Sequence, residues 1–285
     1  MTILVTGATG NIGSEVVKLL SAQGEKIRAL VRDPGKARKL ELKGVELVKG
    51  DLSDRPSLDA AAKGVDALFL LGPAGPDQVA QQHNALEAAK AAGIKRVVKL
   101  SAVGAQKGSK IQLGDWHGQT EDELKKSGLS WTILQPHSFL QNLLMSASTI
   151  KGQGEFYGAT KEGKIPLIDT RDIGAVAAAV LTTAGHEGKT YVLTGPEAVS
   201  HTQVAEKFAG AVGKPVKYVD LPPAELKKGL LGAGLPGWLA GDLVGMQQFF
   251  ATGGGGKVTT AVKDLTGKAA RTVDQFARDF AAAFK

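Results

Sequence analysis

The chain begins with an apolar strand pattern, Ile3-Leu-Val-Thr6. It runs without a spacer into Gly7-Ala8-Thr9-Gly10-Asn11-Ile12-Gly13 and then into an amphipathic helical pattern. Few local sequences restrict a fold so tightly. A strand, a tight glycine turn and a helix N-terminus in this order open a parallel α/β unit and turn unpaired N–H groups toward an anion. Each glycine has its own reason: Gly7 permits the turn, Gly10 lets backbone approach a pyrophosphate, and Gly13 lets the helix pack on the strand.

The rhythm set by this unit continues. Short apolar runs at Ile3–Thr6, Ile27–Val31, Val45–Val48, Ala67–Leu71, Arg96–Leu100 and Trp131–Leu134 read as buried parallel strands. Helical patterns at Asn11–Gln23, Arg55–Ala62, Gln78–Ala92 and Trp116–Ser127 separate them, several closed by glycine (Gly24, Gly64, Gly93, Gly128). Strands joined by crossover helices make an α/β fold with a doubly wound parallel sheet, a Rossmann domain over residues 1–135. Beyond it the pattern loosens. A helix at Phe139–Ile150, a strand at Lys164–Ile168, a helix from Asp172, a strand at Thr190–Leu193, a helix at Thr202–Val212 and a strand at Val216–Val219 are expected. Residues 136–285 are therefore read as a smaller C-terminal substrate lobe and helices, interleaved with the Rossmann core and covering the C-terminal edge of its sheet.

Composition narrows the function classes. With no cysteine, thiolate metal sites are excluded, and the five histidines show no ligand-pair spacing, so no metal is expected. The formal charge of +7 raises nucleic acid, membrane surface or an anionic small molecule as partners. There is no run of five like charges and no aromatic-interleaved basic stripe, which argues against nucleic acid. Most of the excess lies between Lys26 and Lys49, where Lys26, Arg28, Arg32, Lys36, Arg38, Lys39, Lys43 and Lys49 face only Asp33, Glu41 and Glu46. No apolar stretch approaches the ~20 residues of a bilayer span, and the chain opens on a strand rather than a secretory signal. A cytoplasmic protein, monomer or homodimer, is expected, with a small-molecule partner.

The charge cluster surrounds a position that selects between dinucleotides. At the end of the second strand an acidic residue would bind the ribose 2′-OH of NAD, whereas arginine suits a 2′-phosphate. Arg32 stands there, with Lys36 close enough to assist, so NADP(H) is the expected cofactor, although Asp33 could serve a 2′-OH if turned inward.

The Thr6-Gly-Ala-Thr-Gly-x-x-Gly13 pattern resembles the extended and atypical short-chain dehydrogenase/reductase families. The resemblance implies an adenine contact at Asp51-Leu52 and a nicotinamide-ribose contact at Leu71-Gly72-Pro73. Many such reductases carry Tyr-x-x-x-Lys on the helix after the fifth strand. Aligning Glu121-x-x-Leu124-x-x-Ser127-Gly-Leu-x-Trp131-Thr-Ile-Leu134-x-Pro136 puts Leu113 in the tyrosine position and His117 in the lysine position. The dyad is missing. The literal match Tyr157-Gly-Ala-Thr-Lys161 lies in a Gly-rich stretch after the sixth strand, not on that helix.

His117-x-x-Thr-Glu121, Ala184-Gly-His-Glu-Gly-Lys189 and the segment from Leu265 to Phe276 resemble the NmrA-like branch of the atypical family, in particular its quinone-reducing bacterial members. The resemblance implies hydride transfer from NADPH to a quinone or similar conjugated aromatic acceptor, including azo or triarylmethane dyes. Such an electrophile needs little general-acid help, and positioning supplies most of the catalysis. His117 and Ser101 are the candidates for polar assistance, with Ser101 also beside the cofactor. Pro136 and His137 resemble the nicotinamide-side loop; Phe139, Asn142 and Tyr157 are candidates to line the substrate pocket. Other members of the branch only sense dinucleotides, so a non-enzymatic NAD(P)-sensing regulatory protein is the alternative.

Overall fold

A parallel sheet whose strand order reverses in its middle sets the architecture. The computed structural model describes residues 1–285. In chain order the first elements are β1 (Thr2–Val5), α1 (Asn11–Ala22), β2 (Lys26–Val31), β3 (Val45–Lys49), α2 (Arg55–Ala62), β4 (Ala67–Leu70), α3 (Gln78–Ala91), β5 (Arg96–Leu100), α4 (Gln112–Lys126) and β6 (Ser130–Pro136). After them come α5 (Ala147–Gln153), β7 (Glu155–Gly158), α6 (Thr170–Thr182), β8 (Lys189–Leu193), α7 (His201–Val212), β9 (Lys217–Asp220), α8 (Pro223–Gly232) and α9 (Gly237–Ala251). α10 (Ala261–Thr266), α11 (Val273–Asp279) and α12 (Ala281–Phe284) close the chain. No helix is long and apolar enough to cross a membrane.

The chain divides into two compact units. The first comprises Met1–Pro136, Thr170–Leu193 and Asp264–Gly267. It holds a seven-stranded sheet of order β3-β2-β1-β4-β5-β6-β8, with every pairing parallel. This is the doubly wound sheet expected from the strand–helix alternation, extended by β8. Val5 pairs with Ala29 on one side and Phe69 on the other, and all three are wholly buried. Strands covered on both faces need continuous apolar runs, which is why β1 and β4 do not alternate. The order reverses between β1 and β4, and a crevice beyond the strand ends at such a point is where ligands of this architecture sit. Gly24, Gly64, Gly93 and Gly128 take left-handed φ values just past helices, as their spacing requires. Gly174 has a different task. A Cβ there would lie 2.8 Å from Glu15 Cβ, so its absence lets α6 lie against α1.

The second unit comprises His137–Asp169, Thr194–Lys263 and Lys268–Lys285. Its core packs Phe208 against Phe276 and Phe284, with ring centroids 6.2 and 4.9 Å apart. Capping boxes at Ser200/Gln203 and Thr272/Gln275 start α7 and α11.

Three expectations for this unit are corrected. Lys164–Ile168 is not a strand: only isolated bridges, Ile165 to Val199 and Phe139 to Ile168, form there, and Pro166 cannot donate to a ladder. The Gly-rich stretch before it contains β7, which pairs in parallel with β9. The segment expected as a helix over Phe139–Ile150 is instead a 3-10 helix at Leu140–Ser146 followed by α5. In the first unit the α6 helix begins at Thr170, so Asp172 sits in its first turn rather than at its start.

Candidate active site

The glycine turn is built as a cradle. Gly10 N–H donates to Gly7 O at 3.0 Å, closing the turn, and Gly7 takes φ +61°. A Cβ on Gly13 would lie 2.2 Å from Gly7 O, so helix and turn touch backbone to backbone. Gly10 differs: a Cβ there would meet only Gly7 O, at 3.3 Å, and otherwise point into open space. Gly10 is also the N-cap of α1, with no side-chain cap. The first-turn N–H groups at Asn11, Ile12 and Gly13 therefore lack the partner that a serine or aspartate would supply. Exposed Thr9 and Asn11 border this N-terminus. An open approach, uncapped N–H groups and the helix dipole fit a pyrophosphate.

Thr6 ties this turn to the neighbouring strand end across the reversal point. Its buried Oγ1 donates to Leu71 O at 2.8 Å and accepts from Leu71 N–H at 2.9 Å. Gly72 follows, where a Cβ would lie 3.1 Å from Leu52 Cδ1, and Pro73 is exposed. Leu52 is buried, its carbonyl accepts from Asn84 Nδ2 at 3.0 Å, and Asp51 Oδ1 accepts from Ser53 N–H at 2.8 Å. Leu52, Gly72 and the Gly7–Gly13 turn thus fall along one edge of the sheet, beyond β3, β4 and β1.

Beyond β2, Arg32 is exposed and makes no ion pair or hydrogen bond. Asp33 is otherwise occupied: its Oδ1 accepts from Gly35 N–H at 3.0 Å, capping the 3-10 turn Pro34–Lys36, and its Oδ2 lies 3.8 Å from Lys36 Nζ. A carboxylate committed to its own loop is poorly placed for a ribose 2′-OH, while the free guanidinium suits a phosphate. Not all of the basic cluster is so available. Arg28 pairs with Glu46 at 2.9 Å and donates to the carbonyls of Ala61 and Lys63.

Two polar groups occupy the end of β5 and the facing side of α4. In the first, Ser101 Oγ donates to Glu121 Oε1 at 2.5 Å; Gln135 Nε2 donates to the same oxygen at 2.8 Å, and Lys125 Nζ lies 3.1 Å from Oε2. The Ser101 proton is thereby committed to a carboxylate. In the second, Lys99 Nζ lies 3.0 Å from His117 Nδ1 and 3.2 Å from Leu100 O, and Gln78 Nε2 lies 3.3 Å from the same His117 nitrogen. Lys99 is completely buried, and desolvation brings its pKa down to about 7 against the pull of Glu121. His117 is held well below its ordinary value by desolvation and by Lys99, and is therefore neutral at neutral pH. Helix α4 reaches this position because Gly118 abuts the loop after β5: a Cβ there would lie 2.3 Å from Lys107 N.

The remaining candidates are Pro136, in the first unit, and four residues of the second. Pro136, the last residue of β6, is buried, and its carbonyl accepts from Val103 N–H at 3.0 Å within the first unit. His137 is buried; its Nδ1 accepts from Ser138 N–H at 2.8 Å and its ring lies 5.4 Å from that of Phe250. Burial takes its pKa down to about 4. Phe139 is half-buried and Asn142 exposed. Tyr157, on β7, is exposed, and its hydroxyl donates to Glu155 Oε2 at 2.9 Å, an interaction that raises its pKa. In the sequence Lys99 and Gln78 have no place in a motif, and Thr6 and Glu121 enter there only as motif residues without a role of their own. For Lys99 there was a signal: a lysine inside the otherwise apolar run Val97-Val-Lys-Leu100 contradicts its own strand.

The model of the NmrA-like family matches residues 1–277. An NAD(P)H azoreductase of Xenophilus azovorans is 43% identical over 282 residues, covering 99% of this chain and 99% of that protein. Quinone oxidoreductase 2 of Escherichia coli is 38% identical over 256 residues, 89% of each. Among solved structures, the NADPH-dependent quinone oxidoreductase QOR2 of Escherichia coli complexed with NADPH superposes with a TM-score of 0.89. It is 34% identical, over 98% of this chain and 99% of that one.

Proposed function

The chain belongs to the NmrA-like family, and from that premise we propose that it is an NADPH-dependent oxidoreductase that delivers hydride to a quinone or an azo dye. The observation that carries the cofactor assignment is the cradle at Gly7–Gly13 combined with a free Arg32 beside an engaged Asp33. The turn holds the pyrophosphate, Arg32 with Lys36 the 2′-phosphate, Asp51 and Leu52 border the adenine, and Leu71, Gly72 and Pro73 run beside the nicotinamide ribose. Bound NADPH supplies the hydride. The protein supplies position, which for an electrophilic acceptor whose reduced oxygen is a stabilised phenolate accounts for most of the rate. Pro136 and His137 complete the nicotinamide side, and Phe139, Asn142 and Tyr157 line the acceptor site. Of the two polar candidates, Ser101 has its proton bound to Glu121, which leaves His117 as the group to assist. We place the reaction in the cytoplasm, on a monomer or homodimer acting on a small molecule and without a nucleic-acid partner.

A panel of benzoquinones, naphthoquinones and azo dyes with NADPH tests the reading. Steady NADPH oxidation with at least one is expected. Tight NADPH binding with turnover of none would sink the reductase and favour a dinucleotide sensor. Arg32→Ala should weaken NADPH binding about 10- to 100-fold, the worth of a lost charge-assisted hydrogen bond, and leave NADH binding nearly unchanged. An unaltered preference would refute the assignment of Arg32.

A further inference from the structure

His117 taken alone is a poor acid. Desolvation keeps the ring neutral, and a neutral imidazole that gives up its remaining proton becomes an imidazolate. What surrounds it removes the difficulty. Two N–H donors, Lys99 Nζ at 3.0 Å and Gln78 Nε2 at 3.3 Å, converge on Nδ1, which must then be the bare, accepting nitrogen. The ring proton is left on Nε2, and Nε2 has no hydrogen-bond partner within the protein. Lys99 has two acceptors within reach, His117 Nδ1 and Leu100 O, which satisfy the two N–H bonds of a neutral amine and leave a third N–H of the charged form over. The other charged groups about the pair, Glu121 and Lys125, both come from α4, while α3 presents the uncharged Gln78.

We infer that Lys99 is a positioning residue and proton reservoir behind His117, locking the imidazole in its Nε2–H form and resupplying the proton that the ring gives to the reduced acceptor. The inference rests on the reductase reading above. The acceptor gains both electrons as hydride from the dinucleotide, and its oxygen is left as a phenolate. That oxygen takes the Nε2 proton; the N–H bond breaks as the O–H bond forms, while Nδ1 takes a proton from the Lys99 ammonium. The ring stays neutral throughout and the amine ends neutral. After release, a proton from water enters at Nε2 and the Nδ1 proton returns to Lys99, so one solvent proton is consumed per hydride. His137 has no such supply: the donor on its Nδ1 is the backbone N–H of Ser138, which cannot be released.

Long-range 1H–15N NMR of the ligand-free protein at about pH 8 reads the tautomer without any turnover. A bare Nδ1 and a protonated Nε2 are expected for His117 in wild type. Gln78→Met, which leaves Lys99 the sole donor to Nδ1, should keep that tautomer, and adding Lys99→Met to it should give a mixture of tautomers. Lys99→Gln keeps a donor on Nδ1 but has no proton to release, so it should keep the tautomer. In steady-state quinone reduction, wild-type kcat should fall tenfold per pH unit above about pH 7, as the ammonium is lost. Lys99→Gln should be slower by at least tenfold and show no such limb. A protonated Nδ1 in wild type, a Gln78→Met/Lys99→Met tautomer identical to that of Gln78→Met, or a basic limb that survives in Lys99→Gln would each overturn the inference. A wild type that turns over no acceptor fails the reductase reading instead, and the two failures are separate measurements.

Discussion

Gly13→Ala should cost the fold several times what Gly10→Ala costs, although both should abolish tight NADPH binding. The added methyl at residue 13 would lie 2.2 Å from Gly7 O, 2.7 Å from Gly7 C and 2.9 Å from Ala8 Cα. All three are backbone atoms of the turn itself, so relief requires α1 to lift from β1. Overpacking of this kind costs about 1–3 kcal/mol or more. At Gly10 the methyl meets only Gly7 O at 3.3 Å, and φ −79°, ψ 172° is ordinary extended backbone that alanine adopts freely. The change at an N-cap that already lacks a side-chain acceptor should stay within about 1 kcal/mol. The methyl instead fills the space through which a phosphate must approach uncapped N–H groups. Urea unfolding and NADPH titration of the two variants separate the roles. Wild-type affinity in Gly10→Ala would move the pyrophosphate elsewhere; wild-type stability in Gly13→Ala would show that the close approach has slack.

Lys99→Met should make the protein more stable at pH 6, with a gap to wild type that shrinks as pH rises. The sign follows from a pKa brought down from 10.5 to about 7 by burial in the sheet. Below pH 7 the ammonium is present in both folded and unfolded chains, so folding carries the full desolvation cost. Above pH 7 the folded protein sheds the proton while the unfolded chain keeps it to near pH 10.5. The unfolded state then binds more protons, and wild type gains stability with pH. Each pKa unit is worth 1.36 kcal/mol, which amounts to about 3 kcal/mol between pH 6 and pH 9. Urea midpoints of both proteins at the two pH values check it. A constant gap would mean that Lys99 titrates normally and is not shut away from water. A gain in stability on removing Lys99, together with slower turnover, is the exchange expected of a functional group held in an unfavourable place.

The parts of this molecule that were legible in its sequence are those with short-range causes. β1, its glycine turn and α1 follow from residues 3 to 13 alone, because strand burial, left-handed φ and close helix packing each demand a residue type at a fixed offset. The helix-closing glycines and the strand alternation up to β6 are of the same kind. β7 was hidden because Glu155–Gly158 follows a left-handed Gly154 in a glycine-rich stretch, and its strand exists only by pairing with β9, far along the chain. Lys164–Ile168 is the opposite case, an apolar run that finds no continuous partner and in which Pro166 withholds a donor. Tyr157 shows the same dependence at a side chain: its hydroxyl lies 2.9 Å from both Glu155 Oε2 and Gln153 Oε1, acceptors that no dyad spacing foretells.

By itself the sequence determined the doubly wound sheet, the glycine turn between β1 and α1 and the arginine just beyond β2, since each is written in neighbouring residues. Only the tertiary structure decided how the polar groups at the strand ends are engaged. Asp33 is removed from competition by its own loop, and Ser101 by Glu121 twenty positions away. Lys99 reaches His117 across eighteen positions and Gln78 reaches it across thirty-nine. Protonation state and tautomer depend on desolvation and on which donors converge, and both are properties of packing rather than of residue order. A lysine in the middle of a buried strand was visible from the start; that its amine faces a neutral imidazole became visible only when α4 was folded against β5.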